Sequence, residues 1–252
     1  MRIASLGSGS RGNGTLIDDG RTCVLVDLGF TLKETQRRLK RLGKAPHQVD
    51  AVLVTHEHAD HIHGVALFAR KYKCPVYLTP GTYDANRMGA LPQLRRINCH
   101  KPFHIDSLGI VPVPVPHDAK EPCQYIISSD GIRIGVLTDL GHVTPFIEEQ
   151  YAKCNALLLE CNHDTQMLAD GPYPYPLKQR VGGNHGHLNN DQAAELLGKI
   201  QLSTLQHLVI SHVSEKNNAP DLAYETVTSA LGDWEGSLKV ADQESGFDWI
   251  DL

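Results

Sequence analysis

Thr55-His56-Glu57-His58-Ala59-Asp60-His61 decides how this chain is read. It follows the apolar run Ala51-Val52-Leu53-Val54, whose length and branched side chains read as a buried strand. A strand that ends this way delivers its polar groups at its tip, where a sheet meets solvent. His56 and His58 are two apart, so extended backbone points both the same way and lets them share one metal ion. Asp60 and His61 fall where the chain turns into the next segment, aimed at a second ion. Imidazole with carboxylate suits Zn²⁺, and also Mn²⁺ or Fe²⁺. A histidine-rich surface loop would show the composition without this ligand spacing.

Working outward, the Gly-rich opening Ser5-Leu6-Gly7-Ser8-Gly9-Ser10-Arg11-Gly12-Asn13-Gly14-Thr15 can turn tightly and offer backbone N–H groups to an anion, with a plain strand-to-strand turn as the equal alternative. Ser10 and Asn13 are its expected substrate-side contacts. It is not a phosphate-binding P-loop, since no Gly-Lys-Ser/Thr follows. Strands are expected over 2–6, 15–18, 22–27, 75–79, 124–128, 132–138, 155–159, 206–210, 238–241 and 246–250. Helices are expected over 31–42, 59–72, 81–88, 192–200 and 220–231. Thr31 caps the first, with Glu34 completing a capping box, and the helix's basic residues read as a solvated face, with a patch tracking a nucleic-acid backbone as the alternative. The prolines that interrupt 109–115 suit an edge strand or loop entry.

His56-x-His58-x-Asp60-His61 after a hydrophobic strand resembles the metallo-β-lactamase fold superfamily. The Gly/Ser opening and the late Ile210-Ser211-His212-Val213-Ser214 resemble its YycJ/WalJ-like branch, and the similarity spans nearly the whole chain. The resemblance implies an α/β fold, a four-layer αββα sandwich of two mixed sheets with outer helices, in one hydrolase domain over 1–252. It implies two divalent metal ions, Zn²⁺ first, with Mn²⁺ or Fe²⁺ as alternatives. On matching positions His117 joins His56 and His58 on one metal, His212 joins Asp60 and His61 on the other, and Asp139 bridges. Asp27 takes the place of an aspartate that orients the metal loop from behind. Glu160 and His187 resemble a pair in the tRNA 3′-processing phosphodiesterases, where a strand-end glutamate supports a histidine that protonates the leaving oxygen. Asp60, Glu160 and His187 are thus the candidate catalytic groups.

The chain has 252 residues, 41% of them hydrophobic and 21% charged, as a soluble globular protein has. A net charge of −5 does not advertise nucleic-acid binding. Six cysteines without a CxxC pair read as reduced thiols, and no apolar signal core or membrane-length run occurs. A cytoplasmic protein that does not enter a membrane is expected; oligomeric state is not legible.

A bridging hydroxide on such a site would attack phosphorus, a thioester or a lactam. The expected activity is a nucleic-acid phosphodiesterase, exonuclease-like, on DNA or RNA. The alternative is a small ester or thioester hydrolase of the glyoxalase II type, and a regulatory metal site without catalysis stands third.

Overall fold

The computed structural model describes residues 1–252. In chain order it runs β1 (Arg2–Gly7), β2 (Gly14–Asp18), β3 (Cys23–Val26), α1 (Leu32–Arg41), β4 (Ala51–Leu53), α2 (Ala59–Ile62), α3 (Val65–Tyr72), β5 (Val76–Leu78), α4 (Ala85–Met88), β6 (Leu94–Arg96), β7 (Phe103–Ile105), β8 (Leu108–Pro114) and β9 (Cys123–Ser129). β10 (Ile132–Leu137), α5 (Pro145–Tyr151), β11 (Ala156–Glu160), α6 (Thr165–Asp170), α7 (Tyr175–Val181), α8 (Asn190–Leu197), β12 (His207–Ser211), α9 (Pro220–Leu231), β13 (Ser237–Val240) and β14 (Phe247–Asp251) follow. The chain packs as two compact units, one of residues 1–114, 119–131 and 242–252, the other of 115–118 and 132–241. No helix is long and apolar enough to cross a membrane.

The first unit holds a mixed sheet in the order β14-β1-β2-β3-β4-β5-β6. β1, β2 and β3 pair antiparallel, whereas β4 lies parallel between β3 and β5. A parallel strand with neighbours on both sides is buried on both faces, which is why 51–53 is uninterrupted Ala-Val-Leu. Leu6, Leu25, Val52, Leu39 and Phe68 lie in one buried cluster, each side chain contributing about 1.5–3 kcal/mol by leaving water. Thr31 caps α1 as expected, but Glu34 does not close a capping box. Its carboxylate is taken by the guanidinium groups of Arg37 and Arg38. Arg38 is itself buried and donates to the Leu6 carbonyl at 2.7 Å, so this basic face is not wholly solvated.

The single helix expected over 59–72 is two helices that break at His63-Gly64. Gly64 sits against the Phe30 carbonyl, where a Cβ would come within 2.1 Å, and that close approach turns the chain. β8 is not an edge strand. It pairs with β7 over Leu108–Ile110 and with β9 over Gly109–Pro114, and Pro112 and Pro114 fall where β9 alone pairs with it.

In the second unit β10, β11, β12 and β13 form a parallel ladder. Parallel strands leave their C-terminal ends on one side, so Asp139, Glu160 and His212 arrive together at that side. Asn189 and Gln192 form a reciprocal capping box that starts α8 directly after His187. Helices α5, α6 and α7 were not expected; their proline-started or short turns carry too little apolar periodicity to be seen.

Candidate metal centre and proton-transfer pair

In the first unit the four motif residues come together. The His56 ring lies 4.5 Å from that of His58 and 4.1 Å from that of His61, and His61 Nε2 is 3.4 Å from Asp60 Oδ2. The two-residue alternation survives past the last ladder residue because His58 keeps extended backbone (φ −66°, ψ 151°) as it caps α2. Behind the rings stands Asp27, one residue past β3 and in the left-handed region at φ 61°. Its Oδ1 accepts from the Thr55 N–H at 2.9 Å, and its Oδ2 accepts from Thr55 Oγ1 at 2.8 Å and His61 Nδ1 at 2.8 Å. The Thr55 hydroxyl then accepts from His56 Nδ1 at 2.9 Å.

In the second unit Asp139 and His212 are also left-handed, both at φ 53°. Such backbone is uncommon for residues with a side chain, and strand ends at functional sites are where it collects. Asp139, Glu160, His187 and His212 bring their ligand atoms within 4.8 Å of one another. His117 Nδ1 donates to the Gly186 carbonyl at 2.9 Å. His212 Nδ1 lies 3.3 Å from Glu160 Oε1, and Asn162 Nδ2 donates to the His212 carbonyl at 3.0 Å.

The donor set fits divalent cations. His56, His61, His117 and His212 each set Nδ1 against an acceptor, which places the proton there and makes Nε2 the atom a metal would take. Burial also pushes the His117 pKa down, which keeps that ring neutral as a ligand must be.

Glu160 is fully buried at the end of β11. Its Oε2 accepts from the backbone N–H groups of Leu140 (3.2 Å) and Leu188 (3.1 Å), and its Oε1 accepts from His187 Nδ1 at 2.7 Å. Burial alone would raise its pKa, but the His187 charge and the hydrogen bonds from His187 and His212 outweigh that and hold it low. For His187 burial opposes the charged ring, and the Glu160 carboxylate more than offsets it, so the pKa is raised. With Nδ1 committed to Glu160, Nε2 is the atom left to carry a proton to a reactant.

Ser10 is exposed, as a substrate contact can be. Asn13 is buried, and its amide binds the loop. Oδ1 accepts from Gly9 N at 2.8 Å, and Nδ2 lies 3.3 Å from Asp60 Oδ2 and 3.2 Å from His61 Nε2. Thr55, Asn162 and the Gly186 carbonyl were not expected from the sequence. The only signal for them is position, each beside or between residues that were.

The β-lactamase superfamily domain model matches residues 22–213. This chain belongs to that superfamily. Within it the chain is 31% identical to exodeoxyribonuclease YycJ of Bacillus anthracis over 240 residues, covering 92% of this chain and 89% of the relative. It is 33% identical to exodeoxyribonuclease WalJ of Streptococcus pneumoniae, covering 92% and 88%. The superfamily member is therefore of the YycJ/WalJ-like branch and a metal-dependent hydrolase. Among solved structures it matches the metallo-β-lactamase fold protein YhfI of Bacillus subtilis with TM-score 0.74 at 15% identity, over 99% of this chain and 98% of that one. PqqB of Methylobacterium extorquens, a Zn²⁺-bound structure, matches with TM-score 0.72 at 16% identity over the full length of both chains. The fold class expected from the sequence, α/β with two mixed sheets and helices, is the fold of this superfamily member.

Proposed function

We propose that the chain is a phosphodiesterase that removes nucleotides from the ends of nucleic acid, DNA before RNA, with two divalent cations. His56, His58 and His117 would hold one, Asp60, His61 and His212 the other, and Asp139 both. Zn²⁺ suits this donor set first, with Mn²⁺ or Fe²⁺ accepted by the same atoms. Bound cations would supply Lewis-acid stabilisation of the phosphoryl oxygens and an acidified water for attack. Both units would then serve one hydrolase domain. Six buried, unpaired cysteines suit a reducing compartment such as the cytoplasm.

The observation that carries this reading is the Glu160–His187 contact at 2.7 Å. A nucleotide leaves as an alkoxide, which must gain a proton as the P–O bond breaks. Glu160 orients and charges the ring, and His187 Nε2 holds the proton to be given. The exodeoxyribonuclease names of both relatives agree with a strand-end substrate. Hydrolysis of a small ester or thioester remains the second reading, favoured by the net charge of −5, which does not attract a polyanion.

The test is degradation of 5′- and 3′-end-labelled DNA and RNA by protein of measured metal content. Stepwise release of mononucleotides that is abolished by Asp139→Ala and by chelation is expected. Intact strands beside rapid thioester turnover by the metal-loaded protein would replace this reading with the second.

A further inference from the structure

The proton-transfer pair acts on one bond, and an enzyme that consumes a strand must also hold the nucleotides beside it. We propose that the α7 segment binds single-stranded DNA by stacking a base on Tyr175 and pairing phosphates with Lys178 and Lys216. The proposal rests on the nucleic-acid reading above and gives that substrate a place on the molecule.

Helix α7 has no buried residue. Burial in a core therefore does not hold this turn of chain in place, and its outward groups are open to a ligand. Tyr175 is 73% exposed, more than any other large hydrophobic side chain among those exposed in this protein. From 171 to 190 the chain has no Asp or Glu, while it carries Lys178 and Arg180. That acid-free stretch stands out against an overall charge of −5. An aromatic–cation pair lies two residues away in the chain, where Lys216 Nζ is 6.0 Å from the centre of the Tyr173 ring. Arg180 is taken by Asp118, so the two lysines are the cations offered to phosphate.

Tyr175, Lys178 and Gly182 line a cavity of about 470 Å³, enough for one nucleoside. Lys178 Nζ donates to the Ala169 carbonyl at 2.5 Å, which pins the ammonium at the cavity and leaves two N–H groups for a ligand. The segment is tied to the chemistry through its backbone. His187 N donates to the Val181 carbonyl at 2.9 Å, and Gly186, whose carbonyl orients His117, donates to the Gly183 carbonyl at 2.8 Å. A strand held on α7 is thus held on the piece of chain that positions His187. Aromatic faces with flexible cations bind single strands without reading sequence, since every base has a face to stack.

The experiment uses the metal-loaded full chain, a single-stranded DNA oligonucleotide, and bis(p-nitrophenyl) phosphate as a diester with no nucleobase to stack and no second phosphate to pair. Tyr175→Ala should raise KM for the oligonucleotide about tenfold and leave turnover of the small diester within about twofold. Tyr175→Phe should behave as wild type, because the ring remains. Lys178→Ala with Lys216→Ala should flatten the dependence of log KM on log salt by about 1.4. An oligonucleotide KM for Tyr175→Ala within about twofold of wild type would overturn the proposal, and so would an unchanged salt slope in the lysine variant. Wild-type protein that cleaves the small diester but leaves the oligonucleotide intact would sink the nucleic-acid reading itself, and this proposal with it.

Discussion

Glu160 Oε1 and His187 Nδ1 are 2.7 Å apart, although 27 positions separate them in the chain. The same carboxylate holds the backbone N–H groups of Leu140 and Leu188, so it cannot swing away from the ring. Asp139 Oδ1 lies 3.6 Å from that His187 nitrogen, which sets the pair beside the proposed bridging ligand. A buried glutamate whose acceptors go to the His187 ring, the nearby His212 ring and the loops around them is a device for aiming those rings.

Removing the ring should therefore separate chemistry from metal binding. His187→Ala is expected to keep its metal content and to lose about 10²–10⁴ in kcat on nucleic acid. p-Nitrophenyl diesters, whose leaving group needs no proton, should lose far less. Loss of metal in parallel with activity, by elemental analysis, would make His187 a ligand instead.

Glu160→Gln should move the pH profile. His187 must be protonated to act as an acid, and the Glu160 charge raises its pKa. Without that charge the ring deprotonates at lower pH, so the alkaline limb of kcat/KM should shift to lower pH. A limb that stays in place would show that another group sets it.

Asp27→Asn tests the support behind the metal loop. Asn tolerates the left-handed backbone that Asp27 adopts at φ 61°, so the change removes charge and an acceptor with little strain. Its amide cannot accept from Thr55 and His61 as the two carboxylate oxygens do. Metal affinity should fall about 10–100-fold, read by competition with a chromogenic chelator.

Asn13 and Ser10 should part company. Asn13 is buried and within 3.3 Å of the Asp60 carboxylate, so Asn13→Ala should loosen Asp60 and lower metal occupancy. Leaving such partners unsatisfied costs about 1–3 kcal/mol. Exposed Ser10→Ala should leave occupancy and melting temperature unchanged and alter KM alone. Equal occupancy in Asn13→Ala and wild type would return Asn13 to the substrate side.

Asp18 sets an acid limit on stability. Burial alone would raise its pKa, but Lys44 at 2.5 Å, Arg2 at 2.8 Å and the Gly20 N–H at 2.7 Å overcome that and lower it. A carboxyl whose folded pKa is depressed stabilises fully above its ordinary value of 3.8, and the contribution disappears as pH falls through the lower folded value. Asp18→Asn should be about 1–3 kcal/mol less stable at pH 7, and the gap should close below about pH 4. Urea unfolding at both pH values measures it, and a gap that widened in acid would contradict the assignment.

Much of the fold was legible because its signals are local. Val-Leu-rich runs bounded by glycine and aspartate marked the central strands of both sheets, and those strands lie within a residue or two of where they were expected. At β8 the prolines marked a locally open edge, but a single sequence does not show that β7 covers that edge over Leu108–Ile110. The one helix expected over 59–72 failed at Gly64 because a carbonyl from 34 positions earlier occupies the space a side chain would need.

The sequence by itself determined the ligand motif. His56 and His58 face one way because strand alternation is a property of two residues and the backbone between them. It also determined the superfamily, whose spacing of His and Asp is carried in the chain. Only the tertiary structure decided what each neighbour does. It set the Asn13 amide 3.3 Å from Asp60 Oδ2, brought Thr55 between Asp27 and His56, and set the Gly186 carbonyl against His117. Asn13 to Asp60 spans 47 positions and Gly186 to His117 spans 69. Contacts at that range are fixed by how strands and loops pack, and no local period in the chain encodes them.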